Sequence, residues 1–295
     1  MVVTGAVVIC LAMVLCFAYM KTSSKGSDDS TVNSFHTTTS TVDTMDLLDN
    51  GDENAEDRLD SSSIPSNPWD SYYDPSNEER YWSYAQENPH LDYSLAVAYV
   101  NSGVDQMYQN IEPTPDCDSM SVMVNKHFYL EADYAPSDLV SVGGEARLRK
   151  EPAVQYLAMK SDMGMPIVAD SAYRSYAQQK QEYDDCVANT GQENADQEFA
   201  RPGHSEHQTG LAIDILQDYF TLQGDAGFEN TEQYAWLHEN AYKYGFIQRY
   251  IENCNAITGY MTEPWHWRYV GVEVATAMKR DGVLIYEEYY GKHPR

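Results

Sequence analysis

Basic residues are scarce in this chain of 295 residues. Lys and Arg together number 19 against 46 Asp and Glu, which gives a formal net charge of −27. The phosphates of a nucleic acid would be repelled by such a surface, so the composition argues against nucleic acid as a partner. No internal repeat is visible either.

Cysteine is also sparse, at five residues, and no Cys-x-x-Cys pair occurs. A zinc ribbon or a thioredoxin-type redox site is therefore unsupported. Three cysteines lie outside the N-terminal apolar run, at Cys117, Cys186 and Cys254. Cys186 and Cys254 could form one disulfide if the protein is exported, and three isolated thiols are the alternative.

Long apolar runs are limited to one, which extends from Val2 to Met20 without a charged residue. About 20 such residues can cross a bilayer as a helix, and no small-x-small cleavage site ends the run. We therefore predict that residues 1–21 form an uncleaved single-pass anchor. Placing the bulk of the chain outside the cell rests partly on the chemistry predicted below. A cleaved signal segment is the alternative. Lys21 and Lys25 follow the run and favour the opposite, cytoplasmic orientation.

The next segment, residues 22–77, is rich in Ser, Thr, Asp and Asn and poor in large aliphatic residues. Such a composition buries too little apolar area to offset the entropy of ordering the chain. We predict a flexible acidic spacer here. A helical N-terminal extension is then expected over residues 78–118, followed by a folded domain over residues 119–295.

The hydrophobic periodicity predicts helices and short strands in mixed order. This pattern is typical of an α+β domain with a small, mainly antiparallel sheet flanked by helices. Strands are predicted over residues 119–125 and 166–170 and within 258–270. Helices are predicted over residues 79–87, 93–100, 147–163, 177–189, 231–244 and 273–280.

The stretch Gly203–Asp214 places His207 and Asp214 seven residues apart, with Gly210 between them. After Gly210, apolar residues alternate with Ala212 and Asp214, as in a strand with one buried face. We predict a loop that carries His207 and turns at Gly210 into a short strand that carries Asp214. An imidazole nitrogen and a carboxylate oxygen brought together in this way suit zinc or a similar divalent ion.

A third ligand is predicted from the stretch Glu-Pro-Trp-His-Trp-Arg-Tyr-Val that begins at Glu263. In an alternating strand His266 points away from the aromatic residues on either side of it. It can therefore face His207 and Asp214 and complete a set of three ligands, which leaves zinc a fourth position for water. Glu263 precedes His266 by three residues and can reach this water as a general base.

Simpler roles compete with these assignments. A lone His in a strand is more often a structural residue than a ligand, and the chain has eight histidines. His204, three residues before His207, could touch the substrate or the metal. Glu206 is expected to be a solvated or outer-sphere acid rather than the base, because it adjoins a ligand. Arg174 follows a predicted strand and opens a helix, where it could stabilise an oxyanion, clamp a substrate carboxylate or form only a surface salt bridge.

Three motifs, which begin at Ser171 (Ser-x-Tyr-Arg-Ser), Ser205 (Ser-x-His-x-x-Gly-x-Ala-x-Asp) and Glu263 (Glu-Pro-Trp-His), together resemble the VanY family of D-alanyl-D-alanine carboxypeptidases. The resemblance extends over about residues 123–270. It implies a Hedgehog/DD-peptidase-like zinc peptidase fold and removal of the terminal D-Ala from peptidoglycan stem peptides. An L,D-carboxypeptidase that acts on tetrapeptide stems, an endopeptidase that cuts within the stem, and a non-catalytic zinc-containing wall-binding module remain open.

The resemblance also implies a role for each residue of the motifs. It implies one Zn²⁺ ion, with Glu263 as general base and Arg174 as the group that stabilises the tetrahedral intermediate. The implied metal ligands are His207, Asp214 and His266. The residues at positions that look substrate-contacting are Ser205 and Gln179.

Overall fold

The computed structural model describes residues 71–218 and 227–293. The predicted anchor over residues 1–21 and the predicted spacer as far as residue 70 lie outside these ranges, so both stay predictions. Within the two described ranges, none of the helices is long and apolar enough to span a membrane.

Helices and short strands alternate in mixed order, which confirms the α+β prediction. The helices are α1 (Glu78–Glu87), α2 (Tyr93–Asn101), α3 (Lys150–Met163), α4 (Tyr176–Thr190), α5 (Gln192–Glu198), α6 (Glu232–Asn240), α7 (Asn255–Thr258), α8 (Val272–Asp281) and α9 (Tyr286–Lys292). The strands are β1 (Glu112–Pro113), β2 (Phe128–Tyr129), β3 (Leu139–Gly143), β4 (Ala146–Arg149), β5 (Val168–Ser171), β6 (Ala212–Leu216), β7 (Phe246–Tyr250) and β8 (Glu263–Tyr269).

The central sheet has four strands in the order β5-β6-β8-β7, and each neighbouring pair is antiparallel. One face of β6 and β8 supplies Ile213 and Trp267 to the largest apolar cluster, and these two residues are paired across the strands. The next pair along the same two strands is Asp214 opposite His266. Because successive side chains alternate between faces, this pair lies on the face away from the core.

The segment 119–125, predicted as a strand, forms turns and irregular backbone, so that prediction was wrong. Val122, Met123 and Val124 are buried, but the backbone carbonyls of the segment accept hydrogen bonds from side chains and not from a neighbouring strand. Arg268 donates to the carbonyl of Val122, Tyr286 donates to that of Ser121, and Thr114 donates to that of Met123. Burial alone therefore produced the strand-like pattern.

The helices α1, α2, α4 and α8 match the predicted ranges to within one residue at each end. The helix predicted from residue 147 begins only at Lys150, because residues 146–149 pair with β3 as the second strand of a hairpin. Pro152 stands in the first turn of α3, where no intrahelical N–H is needed. The helix predicted over residues 231–244 is α6 followed by a separate 3-10 turn, Ala241–Tyr244.

The N-terminal helices α1 and α2 have an apolar cluster of their own, which includes Tyr81 and Val97. Helix α9 packs closely on α2, since a Cβ atom at Gly291 would lie 1.8 Å from the carbonyl oxygen of Ala98. Asn101 donates from Nδ2 to the carbonyl of Gly291 at 3.0 Å. The N-terminal helices are thereby joined to the C-terminal helix.

The three cysteines of the described residues, Cys117, Cys186 and Cys254, are free thiols. Cys186 is buried on α4 against Ala195, and its thiol lies 3.9 Å from a carboxylate oxygen of Glu198. Of the two alternatives left open by the sequence, the structure thus has isolated thiols rather than a bond between Cys186 and Cys254.

Candidate metal centre and active site

His207 lies on the 3-10 turn Glu206–Thr209, which ends at Gly210. Gly210 has a φ of +66°, and a Cβ atom there would lie 2.9 Å from a methyl group of Leu139. The predicted turn at Gly210 is therefore present, and glycine is required by both backbone conformation and space. The carbonyl of Ala172 lies 2.6 Å from His207 Nδ1. Because a carbonyl can only accept, Nδ1 carries the hydrogen and Nε2 is left for a ligand.

Three potential ligand atoms, one each from His207, Asp214 and His266, converge within 4.8 Å of one another. His207 Nε2 lies 3.3 Å from Asp214 Oδ2. His266 Nδ1 lies 3.2 Å from Asp214 Oδ1. The turn and the cross-strand pair thus bring together the three residues predicted to hold a metal.

The donor set fits a zinc ion. Asp214 Oδ1 is buried and accepts no hydrogen bond of acceptable geometry, although His266 Nδ1 is near. A buried carboxylate oxygen that has no well-aligned donor is costly, and a divalent cation would satisfy it. Two imidazole nitrogens and one carboxylate oxygen are a zinc ligand set that leaves a fourth position open.

Two of the three converging residues, Asp214 and His266, have shifted pKa values. Burial opposes ionisation of Asp214, but the neighbouring His207 and His266 hold its pKa well below the usual range. Burial also opposes protonation of His266, yet contacts with Asp214 and Glu206 raise its pKa to about 10. A cation that binds to His266 must therefore displace a proton.

Glu263 stands at the start of β8 with Oε2 at 3.6 Å from His266 Nδ1. It lies beside the three-ligand group rather than within it. Burial raises the pKa of Glu263 to about 8, and the charges of His266 and Arg174 partly oppose this rise. A carboxyl group with a pKa near neutrality can both accept and return a proton, as a general base requires.

Arg174 is held by three side chains and is mostly buried, which goes beyond the surface salt bridge considered from the sequence. It donates from Nη2 to Ser171 Oγ at 3.1 Å and from Nη1 to Gln179 Oε1 at 3.0 Å. Nη1 also lies 2.9 Å from Glu182 Oε2. The backbone N–H of Arg174 donates to the carbonyl of His207, which fixes the segment beside the metal ligands.

The two predicted substrate-contacting residues are both buried. Gln179 uses its two amide atoms within the protein, since Oε1 accepts from Arg174 and Nε2 donates to the carbonyl of Ala200 at 2.8 Å. Ser205 immediately precedes the turn that carries His207. The substrate contacts of Gln179 and Ser205 stay predictions.

His204 and Glu206 both lie outside the three-ligand group. His204 has Nδ1 at 2.7 Å from the carbonyl oxygen of Asn125, and burial lowers its pKa to about 4. Glu206 is 1% exposed, so the expectation of a solvated acid was wrong. Its alternative, an outer-sphere acid, fits the structure, because Oε2 lies 3.3 Å from His266 Nε2.

Two arginines that the sequence reasoning missed also contact Glu206. Arg249 on β7 and Arg268 on β8 each donate to Glu206 Oε1 at 2.8 Å, and both arginines are buried. A signal was present, since a chain with only 19 basic residues places these two in apolar, strand-like stretches. A buried arginine almost always needs an anionic partner.

The chain is similar in sequence to known carboxypeptidases. The profile of the VanY family, described as D-alanyl-D-alanine carboxypeptidase, matches residues 145–272. The putative carboxypeptidase YodJ of Bacillus subtilis (strain 168) is 37% identical over 214 residues, which cover 68% of this chain and 77% of YodJ. A D-alanyl-D-alanine carboxypeptidase of Enterococcus faecalis is 39% identical over 180 residues, which cover 57% of this chain and 64% of that protein.

Solved structures of similar fold include both D,D- and L,D-enzymes. The LdcB LD-carboxypeptidase is 38% identical with a TM-score of 0.56, over 62% of this chain and 90% of that one. VanYB in complex with D-Ala-D-Ala is 32% identical with a TM-score of 0.52, over 59% and 99%. A VanY D,D-pentapeptidase mutant from a VanB-type resistance cassette, in complex with Zn(II), is 33% identical with a TM-score of 0.50, over 58% and 98%.

Proposed function

The chain belongs to the VanY family of D-alanyl-D-alanine carboxypeptidases, and we propose that it uses zinc to release the terminal D-alanine from peptidoglycan stem peptides. The protein is a zinc metallocarboxypeptidase. The observation that carries the proposal is the convergence of His207, Asp214 and His266 within 4.8 Å, with the carboxyl group of Glu263 beside them.

One zinc ion is proposed, because the described residues contain one group of three His, Cys, Asp or Glu ligands at metal-binding distance. His207 would bind through Nε2, His266 through Nδ1 and Asp214 through its carboxylate. When bound, zinc supplies a Lewis acid and lowers the pKa of a bound water to about 7.

Glu263 serves as the general base and then as the general acid. Its carboxylate accepts a proton from the water that attacks the last peptide carbonyl, and its carboxyl group returns that proton to the nitrogen of the departing D-alanine. Burial raises the proton affinity of Glu263, so the group can hold the proton between the two events.

Arg174 is the group proposed to stabilise the oxyanion that forms from the peptide carbonyl. Its guanidinium is fixed by Ser171, Gln179 and Glu182 before substrate arrives. A preorganised donor of this kind stabilises developing charge without reorganisation during the reaction. Gln179 contributes by holding Arg174, whether or not it also contacts the substrate.

An L,D-specificity is the second candidate, favoured by the likeness to the LdcB LD-carboxypeptidase. The two specificities are separated by incubating the zinc-loaded full-length protein with a pentapeptide muropeptide and, separately, with a tetrapeptide muropeptide. The proposal expects D-alanine from the pentapeptide. D-Alanine from the tetrapeptide alone would establish the L,D-activity instead, and binding without release of D-alanine would indicate a wall-binding module.

The location of the domain is also proposed rather than observed. Stem peptides of the wall lie outside the cytoplasmic membrane, so the catalytic domain is placed outside the cell with residues 1–21 as its membrane anchor. The apolar run Val2–Met20 supports this arrangement.

A further inference from the structure

Four charged side chains form a buried chain of ion pairs next to the metal centre, made of Glu206, Arg249, Arg268 and Glu287. Each of the four is at most 1% exposed at its side chain. Arg249 donates from Nε to Glu206 Oε1 and makes a two-pronged contact with Glu287, at 2.8 and 2.6 Å. This set is called the buried ion chain below.

Stability alone does not account for the buried ion chain. Two arginines and two glutamates balance to zero net charge. The free-energy cost of removing four charges from water can nevertheless exceed the gain from their mutual attraction. Apolar side chains of similar volume would serve a core as well. Fixing a geometry is a role that apolar side chains could not fill, and the geometry that this cluster can fix includes His266.

The two oxygens of Glu206 have separate partners. Oε1 accepts from both Arg249 and Arg268, and Oε2 lies 3.3 Å from His266 Nε2. Since a carboxylate can only accept, Nε2 of His266 carries the hydrogen. Nδ1, which faces Asp214 Oδ1, is then the nitrogen that would lose its proton and give its lone pair to a metal.

We propose that Glu206 is a positioning residue that fixes His266 for metal binding through Nδ1, and that Glu287 of the C-terminal helix secures Glu206 through Arg249. The inference rests on the ligand set of the proposed function. Histidine ligands regularly donate their second N–H to a carboxylate, which orients the ring and raises its basicity. In this chain the carboxylate is the residue immediately before another ligand, His207.

The buried ion chain also gives the N-terminal helices a role. Helix α9 carries Glu287, and α9 is held against α2 by the hydrogen bond from Asn101 to Gly291 and by the close approach of Gly291 to Ala98. The extension of residues 78–118 thus buttresses the helix that completes the ion chain.

The primary test is the zinc affinity of the full-length Glu206→Gln variant, measured by competition with a chelator in the absence of substrate. A glutamine amide cannot satisfy all three donors. If the NH₂ group of this glutamine faces the arginines, hydrogen-bond donors face each other. If the NH₂ group faces His266, it donates to Nε2, and the imidazole hydrogen then stays on Nδ1, where the metal must bind. We expect zinc to bind about 10- to 100-fold more weakly than in the parent protein.

A second variant keeps the test decisive if Glu206→Gln does not fold. Glu287→Gln leaves the contact between Glu206 and His266 in place and weakens only the hold on Arg249, so we expect a several-fold loss of zinc affinity. The matched control is Glu151→Gln. Glu151 accepts from the hydroxyl of Tyr269 at 2.6 Å on the opposite face of β8, and its substitution should leave zinc affinity unchanged.

A spectroscopic signature separates positioning from a general loss of structure. In zinc-loaded, ¹⁵N-histidine-labelled protein, His266 should show a protonated Nε2 and a metal-bound Nδ1, with the Nε2 signal displaced in Glu206→Gln. The proposal would be overturned if the folded variants bind zinc with the parental affinity and show an unchanged His266 signal. If Glu206→Gln does not fold, parental zinc affinity in Glu287→Gln would overturn it. Because no substrate is present, neither result bears on which peptide bond the enzyme cuts.

Discussion

Glu263 differs in position from the three proposed metal ligands, and its own pKa is raised. It sits 3.6 Å from His266 Nδ1, outside the group of converging ligand atoms, with a pKa raised by burial to about 8. Replacement by Gln removes the proton acceptor and keeps the shape of the side chain. We expect Glu263→Gln to bind zinc as the parent does and to release D-alanine at least about 100-fold more slowly.

The check on this prediction is a paired measurement of zinc content and of D-alanine release on the same preparation. Loss of both together would mean that Glu263 acts on the metal rather than on the proton. Retention of full turnover would remove it from the mechanism.

His266 makes metal binding dependent on pH. Its contacts with Asp214 and Glu206 raise its pKa to about 10 against the opposing effect of burial. Below that pH the metal-free protein holds a proton that zinc must displace, so affinity rises with pH, by about tenfold per unit for each proton released. Calorimetric titration in buffers of different ionisation enthalpy should report about one proton or more released per zinc near neutral pH. No proton release, together with an affinity that is constant between pH 6 and 8, would be incompatible with the assigned ligand.

At the scale of residues, the sequence predicted what chain order and alternation can encode. The spacing around Gly210 and the alternation of β8 were enough to bring His207, Asp214 and His266 together. The part played by Glu206 could not be read in the same way, because its partners Arg249 and Arg268 are distant in sequence. A residue next to a ligand has no local signal that tells whether it faces solvent or the core.

At the scale of elements, the secondary-structure prediction was wrong where the burial of side chains does not reveal how the backbone is hydrogen-bonded. The segment 119–125 has the apolar pattern of a strand, but its backbone carbonyls accept hydrogen bonds from the side chains of Arg268, Tyr286 and Thr114. The helical spacing of the residues after 152 predicts a helix from residue 147, but residues 147–149 pair with β3, and that pairing depends on the turn after Gly143. The ends of α1, α2 and α8 were predicted well, since their stop signals are local: Asn88-Pro89 follows α1, Gly103 lies just beyond α2, and Gly282 ends α8.

The contact between α2 and α9 gives a prediction in which two effects have opposite signs. Helix propensity alone would make Gly291→Ala stabilising by about 1 kcal/mol. A Cβ atom at this position would however lie 1.8 Å from the carbonyl oxygen of Ala98, so the two helices must separate. We expect the free energy of unfolding to fall by about 1–3 kcal/mol in urea denaturation.

The control for that variant is Lys279→Ala, at an exposed position of α8, which should change stability little. A gain in stability from Gly291→Ala would show that α2 and α9 are not in close contact in solution.

At the scale of the whole molecule, the proposed location depends on residues 1–70, which lie outside the described ranges. Lys21 and Lys25 favour a cytoplasmic domain, whereas the wall substrate requires an external one. With an epitope tag at the C-terminus of the full-length protein, protease added to protoplasts should destroy the tag while a cytoplasmic marker survives. A tag that is protected until the membrane is broken would refute the external location and with it access to the wall.

The activity itself is a property of the whole assembly, since a turn, two strands and the segment around Arg174 must all be in place. The most direct measurement is a titration of metal-free, full-length protein with zinc, with D-alanine release from a pentapeptide muropeptide followed at each step. We predict no release without metal, a rise in activity in proportion to zinc up to one equivalent per chain, and no rise in Asp214→Ala. Full release of D-alanine by protein whose metal has been removed with a chelator would contradict the account, and so would zinc-saturated protein that releases no D-alanine.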